Sequence, residues 1–277
     1  MRNVFQPNLL EGKAAFITGG GSGINQCIAE HMAGAGAAVT IVGRDLAKAQ
    51  RAADAINAAG GRAIGLSADV RDYDQVAAAL LAAQREFGRL DIVVAGAAGN
   101  FVAPALDMSS KGFRTVIDID LIGTFNTVHA AHAHLAKPGG LVLAISAVQS
   151  TMPTATQSHV CAAKAGIDML MRTLAVEWGA QGIRCVGIAP GPVGDTEGMR
   201  RLAPDGQRSW DRLLDSIPSG RAGAREEIAA LALFLASGAA DYINGVVLPI
   251  DGGQTAVGGH AFGAMLLDSL RPRSTSI

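Results

Sequence analysis

The chain has 277 residues, of which 49% are apolar, 17% charged and only 4% aromatic. Such a length suits one α/β domain or two small ones, with a large core built mainly from Ala, Val, Ile and Leu. The net charge of −1 gives no reason to expect nucleic acid or an anionic membrane as partner.

Met1–Gly12 lacks an apolar core and a cleavage-like site, so no signal peptide is expected, and no apolar run is long enough to span a bilayer. The three cysteines, Cys27, Cys161 and Cys185, are odd in number and widely spaced, and they read as small buried hydrophobes. A cytoplasmic location is the expectation. The first strand is predicted at Ala14–Ile17. Thr18-Gly19-Gly20-Gly21-Ser22-Gly23-Ile24 then leads into a helix, Ile24–Gly34. Glycines between a strand and a helix let the backbone turn tightly, approach a pyrophosphate and seat it on the helix N-terminus. The second strand, Ala38–Val42, ends at Gly43-Arg44. An acidic residue there would hydrogen-bond the adenosine ribose of NAD; Arg44 instead offers a planar cation to a 2′-phosphate, so NADP(H) is the expected cofactor.

The alternation continues through helix Leu46–Ala59, strand Ala63–Leu66, helix Tyr73–Phe87 and strand Ile92–Val94. A long helix, Ser110–Ala136, and strand Leu141–Ile145 follow. Helix Gln157–Gly179 and strand Arg184–Ile188 come next, then a polar insertion at Pro204–Pro218 that reads as a short helical lid. Helix Arg225–Ala236 and strand Val246–Ile250 complete the pattern. Continuous apolar strands between helices predict an α/β, single-domain Rossmann fold: a doubly wound seven-stranded parallel sheet with helices on both faces. No linker divides the chain. Residues 1–257 form the domain and 258–277 a C-terminal tail that packs on a partner subunit or frays.

Almost the whole chain, from Leu10 to Gln254, resembles the short-chain dehydrogenase/reductase family. The glycine loop has that family's spacing, with Asn25 in place of its last glycine. The resemblance assigns Gly19, Gly21, Ser22, Gly23 and Ile24 to the phosphates, Asp69 and Val70 to the adenine edge, and Ala95, Pro190, Gly191, Val193 and Thr196 to the rest of the cofactor. Lys164 would hold the nicotinamide ribose. The family's Tyr-x-x-x-Lys pair, however, becomes Val160 and Lys164 in Ser158-His159-Val160-Cys161-Ala162-Ala163-Lys164. Its serine position falls on Ala147, beside Ser146, and its helix asparagine becomes Asp120. A valine donates no proton.

Ala97-Ala98-Gly99-Asn100-Phe101, His159 with Ala163-Lys164, Leu174-Ala175-Val176-Glu177-Trp178-Gly179 and Thr196-Glu197-Gly198-Met199-Arg200-Arg201-Leu202 are similar to 2,4-dienoyl-CoA reductases of the peroxisomal type. That resemblance implies an acyl-CoA thioester substrate, contacted by Arg71, Phe101, Ser109, Ser110, Lys111 and Arg201. It implies an aspartate–lysine relay, here Asp120 and Lys164. Adding hydride to the far end of a conjugated thioester builds negative charge on the thioester oxygen, and the proton then lands on carbon. Oxyanion stabilisation with an acid–water relay suits this better than a phenol. His159 titrates near neutrality, but five residues before Lys164 it points away from that face, which Val160 shares. The alternatives are another short-chain reductase acting on a ketone or enoyl thioester, and an inactive NADP-binding subunit. The helix histidines His129, His132 and His134 lack matching carboxylates or thiols, so no metal is expected. The family's usual assembly implies a homotetramer through the two long helices. The end, Ser274-Thr275-Ser276-Ile277, is not a peroxisomal address.

Overall fold

A computed structural model describes residues 8–194, 196 and 207–257. Its strands are β1 (Ala14–Thr18), β2 (Ala38–Gly43), β3 (Arg62–Ser67), β4 (Ile92–Ala95), β5 (Leu141–Ile145), β6 (Arg184–Pro190) and β7 (Val247–Ile250). Helices are α1 (Gly23–Gly34), α2 (Leu46–Ala58), α3 (Tyr73–Phe87), α4 (Ser110–Ile117), α5 (Gly123–His132), α6 (Ser158–Trp178), α7 (Gln207–Asp215) and α8 (Arg225–Ala236). The seven strands form one parallel sheet in the order β3-β2-β1-β4-β5-β6-β7. The order reverses beside β1, and such a switch point opens a crevice at the strands' carboxyl ends.

Alternation along β1 divides the core. Ile17 is buried with Ile28, Met32, Ile41, Leu143 and Leu235 on the side of α1, α2 and α8. Its neighbour Phe16 is buried with Leu80, Val93, Val142, Ile167 and Met171 on the side of α3, α5 and α6. Each face therefore has its own helical layer, and the strands read as unbroken apolar runs. Two inner helices take defined starts from aspartates. Asp45 accepts the Lys48 amide at 3.0 Å and Asp72 the Gln75 amide at 3.1 Å.

Three expectations need correction. The long helix Ser110–Ala136 is two helices, α4 and α5, joined by a π-helical turn at Asp118–Ile122, and α5 ends at His132. No Pro marks this break, because a π turn only widens the hydrogen-bonded ring by one residue. Cys161 is half-buried rather than buried, unlike Cys27 and Cys185, because its position on α6 lies beside the inward-facing one. The last strand begins one residue later, at Val247. Within its described part the Pro204–Pro218 insertion holds a helix, α7; the tail 258–277 lies outside the described residues.

Close approach of α2 to β3 depends on Gly65. A Cβ there would stand 2.6 Å from the Gln50 backbone nitrogen and 2.7 Å from the Ala49 carbonyl carbon. Backbone cannot move aside as a side-chain tip can. Gly65→Ala is expected to destabilise the fold by about 2–3 kcal/mol, the upper part of the overpacking range, read as a lowered urea midpoint with unchanged slope.

Candidate active site

A cleft of about 1400 Å3 opens along the carboxyl ends of β1, β2, β4, β5 and β6. Single-ligand pockets run to roughly 300–1000 Å3, so this one has room for a cofactor and a substrate together. Its walls include Gly19, Gly21, Ser22, Gly23, Ile24, Arg44, Asp69, Val70, Lys164, Pro190, Gly191, Val193 and Thr196, so those expected cofactor residues share one space. Ala95 is buried at the end of β4 and does not line it.

The glycine loop fits a dinucleotide. Gly19 has φ +71° and its Cβ would lie 3.0 Å from the Ala97 Cα; Gly23 has φ +60° with open space where a side chain would be. Both positions suit glycine alone. Ser22 precedes α1 without using its hydroxyl as a cap, which leaves that hydroxyl and the first amides of α1 facing the cleft. Asn25 replaces a family glycine by reaching across the loop: its Nδ2 donates to the Gly96 carbonyl at 2.7 Å. Gly96 is the complement of that reach, since a Cβ there would stand 2.4 Å from Asn25 Oδ1.

Arg44 is exposed on the cleft wall. Its neighbour Asp45 is occupied in capping α2, so the carboxylate does not take the ribose-binding place. Lys48 lines the same end, with Cγ 3.2 Å from where a Gly21 Cβ would be. It was not singled out in the sequence, although it lies one turn into the helix that Arg44 precedes.

At the centre, Lys164 and Asp120 meet. Lys164 is 5% exposed and Asp120 1%. Lys164 Nζ lies 3.1 Å from Asp120 Oδ2 and donates to the Ile145 carbonyl at 3.0 Å. The Nζ–Oδ2 contact is an ion pair without hydrogen-bond alignment, and Oδ2 has no hydrogen-bond donor of its own. Asp120 Oδ1 accepts the Gly99 amide at 2.7 Å. The π turn carries Asp120 to this depth. Val160 is buried and lines the cleft on the Lys164 face of α6.

His159 turns the other way and is absent from the cleft wall. It is fully buried, its ring centroid 4.3 Å from that of Phe101. Burial holds its pKa below the ordinary 6.5, opposed by the nearby Phe101 backbone and the Asp120 charge; neither ring nitrogen makes a hydrogen bond of good geometry.

The expected substrate contacts divide. Phe101 lines the cleft. Arg71 instead pairs with Asp69, donating Nε to Oδ1 at 3.0 Å, and that guanidinium holds the Asp69 carboxyl below its usual range. The two residues assigned to different ligands thus hold each other. Ser109 caps α4 by accepting the Gly112 amide at 3.0 Å, and Ser110 and Lys111 begin that helix away from the cleft wall. Arg201 lies outside the described residues. The helix histidines have local partners: His129 meets Tyr73 Oη at 3.1 Å and His132 meets Gln181 at 3.0 Å. Among the described residues no cluster of three or more metal-ligating side chains converges.

A family model described as enoyl-(acyl carrier protein) reductase matches residues 19–255. The chain belongs to the short-chain dehydrogenase/reductase family, and is an oxidoreductase of that family. It is 44% identical over 255 residues to a peroxisomal 2,4-dienoyl-CoA reductase, (3E)-enoyl-CoA-producing, of Rattus norvegicus, covering 91% of this chain and 87% of that protein. It is 40% identical over 248 residues to a probable 2,4-dienoyl-CoA reductase, (2E)-enoyl-CoA-producing, of Bacillus subtilis, covering 88% and 97%. Among solved structures, levodione reductase superposes with a TM-score of 0.83 at 31% identity, covering 89% of this chain and 98% of that one.

Because unfolding releases His159 to its ordinary 6.5, the unfolded chain binds more protons below that pH. Stability carried by the neutral ring is present above pH 6.5 and is lost as pH falls below it toward the lowered folded value. Wild type is expected to lose Tm between pH 7 and 5 more steeply than His159→Leu, measured by thermal melts across that range.

Proposed function

We propose that the protein reduces 2,4-dienoyl-CoA thioesters with NADPH, giving a 3-enoyl-CoA, as an auxiliary step in the oxidation of unsaturated fatty acyl chains. The observation that carries this reading is the buried Asp120–Lys164 pair standing where a valine has replaced the family's phenol. The names of the 40–45% identical relatives support it. A bound nicotinamide supplies the hydride. Lys164 holds the ribose hydroxyls and brings positive potential to the side where the thioester oxygen gains charge. Asp120, whose Oδ1 accepts the Gly99 amide while Oδ2 receives no hydrogen bond, orients a water whose proton reaches the substrate carbon. Val160 gives that water no competitor, and Phe101 supplies an apolar wall to the acyl chain. Arg44, with Lys48 behind it, selects NADPH through the 2′-phosphate.

A second copy of the chain is the partner we place on α4–α6, where Ile122, Phe125, Met169 and Val176 are exposed, in a homotetramer. Among the described residues no helix is long and apolar enough to cross a membrane. The cysteines are free thiols, which fits the reducing cytoplasm.

Purified protein is expected to oxidise NADPH in the presence of 2,4-hexadienoyl-CoA, followed at 340 nm, and to leave a 3-enoyl product. Activity on a 3-ketoacyl thioester alone would favour a carbonyl reductase instead, and NADPH binding without any turnover an inactive subunit. Asp120→Asn and Lys164→Ala are each expected to lower kcat by about 100-fold or more, the range for loss of positioned acid–base catalysis, while Val160→Tyr brings no gain. Full activity in Asp120→Asn removes that carboxylate from the reaction. Arg44→Asp is expected to raise KM for NADPH by about tenfold or more and to narrow its advantage over NADH, the loss of one charge-assisted contact. An unchanged cofactor ratio would place the 2′-phosphate elsewhere.

A further inference from the structure

Lys164 depends on a backbone carbonyl, and that carbonyl is itself held from behind. Ile145 O accepts Lys164 Nζ at 3.0 Å, and the same peptide unit continues into Ser146. Ser146 is tied in two directions. Its amide donates to Ile188 O on β6 at 2.8 Å, and its hydroxyl donates to Asp168 Oδ1 at 2.5 Å. Ser146 is 3% exposed and Asp168 4%. Asp168 lies four residues after Lys164 on α6, so the two share one face of the helix a turn apart. A buried carboxylate is costly unless its oxygens are engaged, and the hydrogen bond from Ser146 engages this one. The single hydrogen of the Ser146 hydroxyl is spent there, so the hydroxyl is not a proton donor toward the cleft it borders.

We propose that Asp168 is a positioning residue: through Ser146 it fixes the peptide whose carbonyl anchors Lys164. Helix α6 thereby supplies the cation and, one turn on, the group that sets the cation's seat. The end of β5 is clamped between them. Loss of the clamp lets the peptide rotate, and Lys164 loses alignment both with the nicotinamide ribose and with Asp120. This inference rests on the role proposed for Lys164.

Ser146→Ala, a small change, carries the test; Asp168→Leu and the double variant complete a cycle. Each single variant is expected to lower kcat and to weaken NADPH binding by about tenfold, as for one hydrogen bond to a charged group, with the double variant no worse than either single. Ser146→Thr, which keeps a hydroxyl, and Asp168→Asn, which keeps an acceptor oxygen, are expected to retain wild-type values within about threefold. Wild-type kcat and NADPH affinity in Ser146→Ala overturn the proposal. So do additive losses in the double variant, or a lowered Tm with unchanged kinetics, which marks a structural bond only. NADPH affinity, read by fluorescence without substrate, keeps the two readings apart. Wild type that binds NADPH but leaves dienoyl-CoA untouched defeats the proposed reaction, while the Ser146→Ala affinity still decides the clamp.

Discussion

A lysine ammonium buried to 5% exposure is the constraint around which the β5–α6 side of the cleft is arranged. So little of it is exposed to water that the protein must stabilise most of its charge. One neighbour is the Ile145 carbonyl at the end of a central strand; the other is Asp120, from a helix on the same face of the sheet. Meeting both at once fixes the depth of α6 against β5 and the phase of the segment carrying Asp120. Asp120 in turn takes the Gly99 amide, so the loop after β4 is placed by the same cation at one remove. The apolar layers hold the sheet together, but this pair decides which loop atoms converge on the cleft.

The dinucleotide half obeys a different rule. There the backbone shapes the cleft wall, and side chains matter through what they leave open. Gly19 allows the loop to touch the segment that follows β4, Gly96 makes way for the Asn25 amide, and Gly23 turns the chain into α1. An asparagine where the family has glycine is accommodated because its neighbour across the crevice is itself a glycine.

Much of this was legible in the chain. Strand and helix alternation, the single parallel sheet and the membership of a reductase family follow from unbroken apolar strands, glycine placement and quoted motifs. Val160 at the tyrosine position points to Asp120 and Lys164, and the structure pairs those two side chains. What escaped was of two kinds. The π turn leaves no mark in composition, so Ser110–Ala136 reads as one helix although α4 and α5 differ in phase. Pairings within a loop also escaped, as with Arg71, which reads as a substrate contact until Asp69, two residues before it, is seen to hold it. Asp168 stood within reach, four residues after a lysine already singled out, but its partner Ser146 comes from a strand end that only folding brings near.

The π turn at Asp118–Ile122 has a consequence for how this segment tolerates change in length. A π turn houses one residue more than an α-helix needs, and that residue sits between two regular stretches. Deleting it would restore a continuous helix and rotate everything on one side by about 100°, the angular step of a single helical residue. Asp120 would swing off the cation, or Phe125 and its neighbours would leave their outward face. The segment can hold its inward carboxylate and its outward apolar stripe together only while the extra residue remains, so the length of this stretch is as strictly specified as the identity of its aspartate.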